Sequence, residues 1–346
     1  MKTHLNTLFV TLEGAYLRRD GAAVEVRHNH ESKLRVPLHN LDGIVCFGWD
    51  CAASAALMAA CAEANVSLSF HTPHGKFIAA AQGFVSGNVL LRRAQYRHAD
   101  DPTSSASIAR NLVAAKIANC RTVLMRGTRD HGERNPEKAA TLIAAADRLN
   151  HRLRSLNQAT NLDEIRGIEG ESAVFYFEAF NALFTGNGSS MTLSGRSRRP
   201  PLDPVNALLS FCYTLLMHDC RSALESAGLD SQCGFLHRDR PGRPSLALDL
   251  MEEFRPVIAD RAALTLINRQ QIGPRDFETK ESGAVLLRED SRKSVLTVWQ
   301  ERKQTEILHP FLQEKTTLGL VPHLQARLLC RHLRGDLDSY PAFLAR

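Results

Sequence analysis

The feature that most constrains the fold is a change in hydrophobic periodicity near residue 100. Before it, short runs of Val, Leu, Ile and Phe alternate with polar residues, which is typical of β-strands. After it, apolar residues recur at intervals of three and four positions, as on one face of an amphipathic helix. We therefore predict an α+β fold, with a β-rich N-terminal domain at residues 1–97 and an all-α C-terminal domain at residues 106–346.

The N-terminal domain is predicted to be a small sheet-rich unit with one packed helix. Asp20-Gly21 favours a hairpin turn, and the Ala-rich segment Cys51–Ala64 favours a helix because it lacks Gly and Pro. The polar segment His98–Ser105 is the predicted linker or boundary between the domains. The predicted strands are TLFVT, AYLRR, AVEVR, KLRVPL, GIVCF, VSLSFH and GKFIAAAQGF. AVEVR and KLRVPL are candidates for exposed edges, which invite pairing with another chain.

The C-terminal domain is predicted to consist of helices joined by polar loops. Asp203-Pro204 marks the start of one helix, because Pro is tolerated in a first helical turn. Thr185–Pro201 is a low-complexity loop, and residues 336–346 are predicted to form a loose tail. The predicted helices are Ala106–Arg126, Pro136–Asn157, Glu169–Phe184, Pro204–Ala227, Ser245–Asn268 and Leu318–Leu333.

Composition limits the classes of function that the chain can have. The 43 Lys and Arg residues exceed the 37 Asp and Glu residues, which permits a polyanionic partner without requiring one. The eight cysteines form no CxxC pair, so we expect reduced, buried thiols rather than a zinc ribbon. The N-terminus lacks the layout of a signal peptide, and no apolar run is long enough to span a bilayer. We therefore expect a cytoplasmic protein without a membrane partner.

Three acids lie inside an apolar segment that is predicted to be helical. Asp249, Glu252 and Glu253 stand at positions i, i+3 and i+4, which share one helix face. Burying such charges is costly unless a cation pairs with them. The alternative is a solvated acidic face, and this segment taken alone favours that alternative.

Glu169 and His237 are further candidates for the same site. Projected along a helix, Glu169 lies on a stripe with apolar residues, among them Tyr176 and Phe180. The alternative places Glu169 in a first helical turn, where it would interact with the helix dipole, as would Glu171. His237 precedes the loop RDRPGRP, which is too polar for the core. We therefore expect His237 at the rim of the core, beside basic groups. A lone histidine is more often structural than a ligand.

Two carboxylates and one imidazole would suit a divalent cation. Mg²⁺ prefers oxygen ligands, whereas Mn²⁺ accepts an imidazole more readily. Such a site would keep open positions for water and for a phosphate oxygen. Arginines in nearby loops could neutralise a nucleic-acid backbone. They are Arg196, Arg198, Arg199, Arg238, Arg240 and Arg243.

Three longer stretches occur together and in a distinctive order. They are RGIEGESAVFYFEAF, RRPPLDPVNALLSFCYTLL and GFLHRDRPGRPSLALDLMEEFRP. With these stretches the chain closely resembles the CRISPR-associated integrase family of the spacer-adaptation machinery, Cas1. The N-terminal stretches LNTLFVTLEGAYLRRDG and LRVPLHNLDGIVCFG are similar to the subtype I-C branch. The resemblance extends over nearly the whole chain.

The resemblance implies a site and a reaction. It implies that Glu169, His237 and Glu252 are catalytic and bind Mg²⁺ or Mn²⁺, with Asp249 and Arg243 in supporting roles. Glu253 matches no functional position, so we expect it to be solvated. The implied reaction is phosphoryl transfer on DNA, in which the 3′-hydroxyl of a prespacer attacks a phosphodiester at the boundary of a CRISPR repeat. Water as the nucleophile would give endonuclease activity.

The resemblance also implies partners. These are double-stranded DNA, a second copy of the chain that binds through the N-terminal domain, and the small protein Cas2. Two integrase dimers would flank one Cas2 dimer in a heterohexamer. Two alternatives remain open, a non-catalytic DNA-binding scaffold and a metal-dependent nuclease that acts on branched cellular DNA.

Overall fold

The computed structural model confirms the α+β fold, with sheets in the N-terminal part and helices in the C-terminal part. It describes residues 6–64, 66–73, 77–81, 83, 89–131, 134–185, 191–197 and 199–345. In this part of the chain, no helix combines the length and apolar character that a bilayer crossing requires.

Two four-stranded sheets form the N-terminal part. One has the order β1-β5-β7-β8 and the other the order β4-β3-β2-β6. The helix α1, Ala55–Glu63, packs on strands of both sheets. The strands are β1 Asn6–Val10, β2 Tyr16–Asp20, β3 Ala23–His28, β4 Glu31–Pro37, β5 Leu41–Phe47, β6 Ala52–Ala53, β7 Ser67–His71 and β8 Phe77–Ala81.

The predicted hairpin at Asp20-Gly21 is confirmed, and one predicted edge strand is wrong. Gly21 adopts a φ of +59°, which allows Asp20 to pair with Ala23 across a tight turn. AVEVR forms β3, which is paired with β2 on one side and β4 on the other. KLRVPL lies largely in β4, which is an edge strand of its sheet. Part of GKFIAAAQGF lies outside the described residues.

Ten α-helices are found in the described chain, nine of them in the C-terminal part. These nine are α2 Val89–Asp100, α3 Pro102–His131, α4 Pro136–Leu156, α5 Leu162–Glu178, α6 Pro204–Ser226, α7 Ser245–Met251, α8 Arg261–Asn268, α9 Arg292–Lys303 and α10 Val321–Leu333. A π-helical turn, Arg255–Asp260, separates α7 from α8. Two short hairpins that periodicity did not predict pair β9 Phe277–Thr279 with β10 Val285–Leu287, and β11 Glu306–Leu308 with β12 Lys315–Thr317.

The predicted linker His98–Ser105 is wrong, because two helices meet there. α2 ends at Asp100 and α3 begins at Pro102. The side chain of Asp101 accepts hydrogen bonds from the amides of Thr103 and Ser104, which caps α3. The polar residues that suggest a linker are therefore capping residues. The domain ranges stay a prediction, and Val45 and Phe47 of β5 pack into the hydrophobic core of the helical part.

The predicted loose tail at the C-terminus is also wrong. Tyr340 and Phe343 are buried, and the Phe343 ring lies 5.7 Å from that of Phe254. Asn111 Nδ2 on α3 donates a hydrogen bond of 3.1 Å to the carbonyl of Tyr340. The tail therefore belongs to the core that surrounds α3. Six of the eight cysteines are buried and all eight are free thiols, as predicted from their apolar surroundings.

Candidate active site

Glu169 lies in the middle of α5, which corrects the predicted start of this helix. Asn161 caps the helix by accepting hydrogen bonds from the amides of Asp163 and Glu164. Glu169 is therefore two turns inside α5, and the helix dipole does not explain it. Glu171 lies further along the same helix, so the dipole interpretation does not hold for it either. It pairs at the surface with Arg152 at 3.0 Å.

Lys116 on α3 is a residue of this site that the sequence analysis missed. Its Nζ contacts Oε1 of Glu169 and lies 2.7 Å from Oε2 of Glu252. Its side chain is 7% exposed. Burial alone would lower the pKa of Lys116, but the charges of Glu252 and Glu169 raise it above its usual value. A signal was present, because this lysine stands on the apolar stripe of α3 that includes Leu112 and Cys120.

Glu252 is buried directly after the last turn of α7. Its Oε1 lies 3.0 Å from a terminal nitrogen of Arg255, and its Oε2 contacts Lys116 as described. Burial would raise the pKa of Glu252, but the positive charges of Arg255 and Lys116 lower it to about 2. Oε2 lies 2.7 Å from the ammonium of Lys116, which is its charged partner among the described residues. This oxygen is therefore charged, and any further cation would compete with Lys116 for it.

Asp249 fixes the position and orientation of His237. Its Oδ2 accepts hydrogen bonds of 2.6 Å and 2.9 Å from the amides of Phe235 and Leu236. Its Oδ1 accepts one of 3.0 Å from the amide of His237 and lies 2.6 Å from Nδ1 of the same residue. A hydrogen on Nδ1 would leave Nε2 free as a ligand atom. Because both oxygens are used in this way, Asp249 acts as a support of His237.

Gly234 leaves room for the Asp249 carboxylate. A Cβ at position 234 would lie 2.8 Å from Oδ2 of Asp249 and 2.9 Å from the Cβ of Ser245. Such distances are too short for any side chain larger than a hydrogen atom. Glycine at position 234 therefore allows this loop to approach α7 closely.

The structure brings the three predicted ligands into one region. Glu169 and Glu252 share Lys116, and His237 is close enough to Glu252 to contribute to its low pKa, after Arg255 and Lys116. Within the described ranges, no three His, Cys, Asp or Glu side chains converge closely enough to hold an ion. The two carboxylates instead meet the ammonium of Lys116, which supplies the positive charge that they require.

Glu253 is not solvated, which corrects the prediction for this residue. It is fully buried, and burial raises its pKa to about 7. Its Oε1 accepts a hydrogen bond of 2.5 Å from the hydroxyl of Tyr340, and its Oε2 accepts bonds from the amide of Phe343 and the amide group of Gln325. Glu253 therefore fastens the C-terminal tail to the turn that carries Glu252.

Arg196 is a structural residue and not an exposed arginine of the loop. It is half-buried, and its guanidinium donates hydrogen bonds to Oδ1 of Asn206 and to the carbonyl of Ser197. The same group lies over the ring of Tyr213, 5.2 Å from its centroid. The geometry therefore does not favour the predicted DNA contact. Arg198 lies outside the described residues.

Three of the remaining arginines form a basic patch, defined as Arg199, Arg240 and Arg243. Arg199 and Arg240 are exposed and Arg243 is half-buried. The pKa of Arg243 is lowered first by burial and then by the positive charges of Arg240 and Arg199, so the three groups lie near one another. Arg240 and Arg243 belong to the loop that joins His237 to α7, the helix that contains Asp249, so the patch lies beside His237 and Asp249. Arg238 is exposed and pairs with Asp163 at 3.0 Å.

Comparison with known protein sequences identifies close relatives over the full chain. The family model described as CRISPR associated protein Cas1 matches residues 8–301. A relative from Chlorobaculum tepidum, CRISPR-associated endonuclease Cas1 1, is 52% identical over 350 residues and is matched over 100% of both chains. CRISPR-associated endonuclease Cas1 2 of Rhodospirillum rubrum is 52% identical, over 99% of this chain and 98% of its own.

Solved structures with less sequence identity share the fold. A Cas1 protein from Thermotoga maritima superposes with a TM-score of 0.80 at 21% identity, over 99% of this chain and 100% of its own. A casposase bound to its integration product has a TM-score of 0.81 at 24% identity, over 98% and 93% of the two chains. A chain of a Cas6-RT-Cas1–Cas2 complex has a TM-score of 0.80 at 24% identity, over 99% of this chain and 36% of its own.

Proposed function

Because this chain belongs to the CRISPR-associated Cas1 family of endonucleases, we propose that it is a divalent-metal-dependent DNA integrase and endonuclease. In this proposal it inserts prespacer DNA into the CRISPR array by transesterification, as part of prokaryotic antiviral immunity. The observation that carries the proposal is that Glu169 and Glu252 both contact the buried ammonium of Lys116, beside a histidine whose Nδ1 lies against Asp249.

The residues of the site fit a divalent metal ion. Two carboxylates and one imidazole are a donor set for Mg²⁺ or Mn²⁺, and both carboxylates already meet one cation, the ammonium of Lys116. Glu169, His237 and Glu252 would hold the ion. When bound, the ion would act as a Lewis acid on a phosphate and would stabilise the charge that develops in the transition state.

Residues around the ligands prepare the site for this chemistry. Asp249 sets the tautomer and orientation of His237, and Arg255 holds one oxygen of Glu252. The basic patch lies beside Asp249 and His237. Its positive charges suit the phosphates of a DNA strand that enters the site. Cytoplasmic action is part of the proposal, because the CRISPR array lies in the cytoplasm.

We also propose the partners that this activity needs. Integration requires two attacks on opposite strands, and a single site cannot reach both. A homodimer through the N-terminal domain and a central Cas2 dimer between two such dimers would supply the second site. The edge strand β4 is a candidate for the dimer contact, since its first five residues are exposed. The similarity to a chain of a Cas6-RT-Cas1–Cas2 complex supports Cas2 as a partner.

The experiment is strand joining on a supercoiled plasmid that contains a CRISPR repeat. We expect the chain, together with Cas2, to join a prespacer to the plasmid in the presence of Mg²⁺ or Mn²⁺. This joining should stop when a chelator removes the metal. Glu169→Gln should abolish joining and cleavage, whereas Glu171→Gln should retain both, because Glu171 lies at the surface of the same helix. Joining by Glu169→Gln would contradict the proposed site.

The same experiment separates the alternatives. Cleavage of a branched DNA without any joining would favour the nuclease that acts on cellular DNA. DNA binding without either reaction, in metal and with Cas2, would favour the non-catalytic scaffold.

A further inference from the structure

A second cluster of cations lies away from the candidate active site. Arg126 of α3, Arg261 of α8 and Arg302 of α9 line one cavity of about 310 Å³, which we call the arginine cavity. None of the proposed metal ligands lines it. Its wall on α3 begins at Thr122, six residues beyond Lys116, which is about 9 Å along a helix.

The charges in the arginine cavity are poorly compensated. Asp130 lies 4.0 Å from Nε of Arg126, and its charge also acts on Arg261. Neither Arg261 nor Arg302 forms an ion pair with any residue that the structure describes. Arg302 instead donates hydrogen bonds of 3.0 Å and 2.6 Å to the carbonyl of Val257. Burial, followed by the charges of Arg261 and Arg126, lowers the pKa of Arg302 to about 10. Three guanidinium groups that line one cavity repel each other, and an anion bound between them would reduce this repulsion.

Apart from Thr122 and Thr305, the remainder of the wall is apolar, and part of it is fixed by hydrogen bonds. Val257, Ile307 and Phe343 belong to it. The carbonyl of Phe343 accepts a hydrogen bond of 2.9 Å from Asn119 of α3, and the amide of Phe343 donates one of 2.5 Å to Glu253. The cavity is therefore a formed part of the fold, and its apolar wall can cover a ligand body of moderate size.

We propose that the arginine cavity binds a nucleoside phosphate. Guanidinium groups bind phosphate oxygens in a bidentate manner, and several of them suit a dianionic phosphate better than a carboxylate. The apolar wall contacts the nucleoside, and the cavity volume falls within the range of small-molecule sites. The source is a free nucleotide or the phosphorylated end of a DNA strand, which have this chemistry in common.

The test is calorimetric titration of the full chain in buffer without divalent metal. We expect binding of deoxynucleoside monophosphates, weaker binding of inorganic phosphate, and none of the unphosphorylated nucleoside. Arg126→Gln and Arg261→Gln should each weaken binding about tenfold, as loss of one charge-assisted contact does. Arg129→Gln is the matched control, because Arg129 is exposed on α3 and lies outside the cavity wall.

Two further titrations distinguish a free nucleotide from the phosphorylated end of a DNA strand. Binding of a 5′-phosphorylated oligonucleotide that depends on Arg126 assigns the cavity to a DNA end, and binding of the free nucleotide alone assigns it to a small molecule. Equal affinity for phosphate and nucleotide, equal binding by the wild type and both variants, or no binding at millimolar ligand would each overturn the proposal. Because no metal is present, the result is independent of the proposed integrase activity. Arg126 is 57% exposed, so its variant should fold.

Discussion

Lys116 of α3 and Glu252 at the end of α7 form a buried ion pair, with 2.7 Å between Nζ and Oε2. The same ammonium contacts Glu169, so one lysine serves two acids from different helices. Separating Glu252 from Lys116 leaves a buried carboxylate with less compensation, and Glu169, which is 23% exposed, also loses its cation. A divalent ion that uses these acids as ligands must therefore compete with Lys116 for them.

Replacing Lys116 should reveal this competition. In metal-free buffer, Lys116→Met should lower the free energy of unfolding by about 3 kcal/mol, because it removes one partner of a buried pair. Mn²⁺ should then raise the melting temperature of the variant more than that of the wild type. Differential scanning calorimetry measures both effects, and Lys293→Met on the exposed face of α9 is the control. Equal shifts in variant and wild type would show that the lysine does not compete.

The low pKa of Glu252 should appear in acid unfolding. Its pKa in the folded protein is about 2, against a usual 4.5, so its contribution to stability is complete above pH 4.5 and is lost as the pH falls towards 2. The contribution is on the order of 3 kcal/mol. Glu252→Gln should flatten this part of the curve of unfolding free energy against pH, measured with denaturant. A variant with the wild-type slope between pH 4.5 and 2 would argue against the ion pairs described.

Asp249 should act through His237 rather than on the metal ion. Asp249→Asn should weaken Mn²⁺ binding about tenfold or more, as loss of a group that orients a ligand does. Strand joining should fall but persist at high metal concentration, whereas His237→Ala should abolish it. Titration calorimetry and the joining assay separate the two effects. Asp239→Asn, an exposed acid in the same loop, is the control, and a total loss in Asp249→Asn at saturating metal would make Asp249 a ligand.

The basic patch should determine part of the salt dependence of DNA binding. Each phosphate contact contributes about −0.9 to the slope of log K against log salt. Arg199→Gln combined with Arg240→Gln should therefore make this slope less steep by up to about 2. Fluorescence anisotropy over a range of salt concentrations measures the slope. The control is Arg154→Gln, at an exposed position on α4, which should leave the slope unaltered. An unchanged slope in the double variant would show that the basic patch does not contact DNA.

The sequence by itself determined the two-part architecture and most helix positions. Apolar spacing and local caps carry this information, because they act within a few residues of one another. The Asp203-Pro204 pair, for example, starts α6 where predicted, and Asp203 accepts a hydrogen bond from the amide of Asn206. The predicted start of α5 at Glu169 is wrong although a local signal is present, because Asn161 caps the helix and α5 begins at Leu162.

Only the tertiary structure decided what each acid in the segment Asp249–Glu253 does. Their spacing is that of one helix face, yet each acid meets a different part of the chain. Asp249 holds the His237 loop, Glu252 meets Lys116 and Arg255, and Glu253 holds the tail at Tyr340 and Phe343. Lys116 and Glu252 are far apart in sequence, and no local pattern records that α3 packs against the turn after α7. Burial of a charge depends on such contacts, so the partner of each acid follows from packing alone.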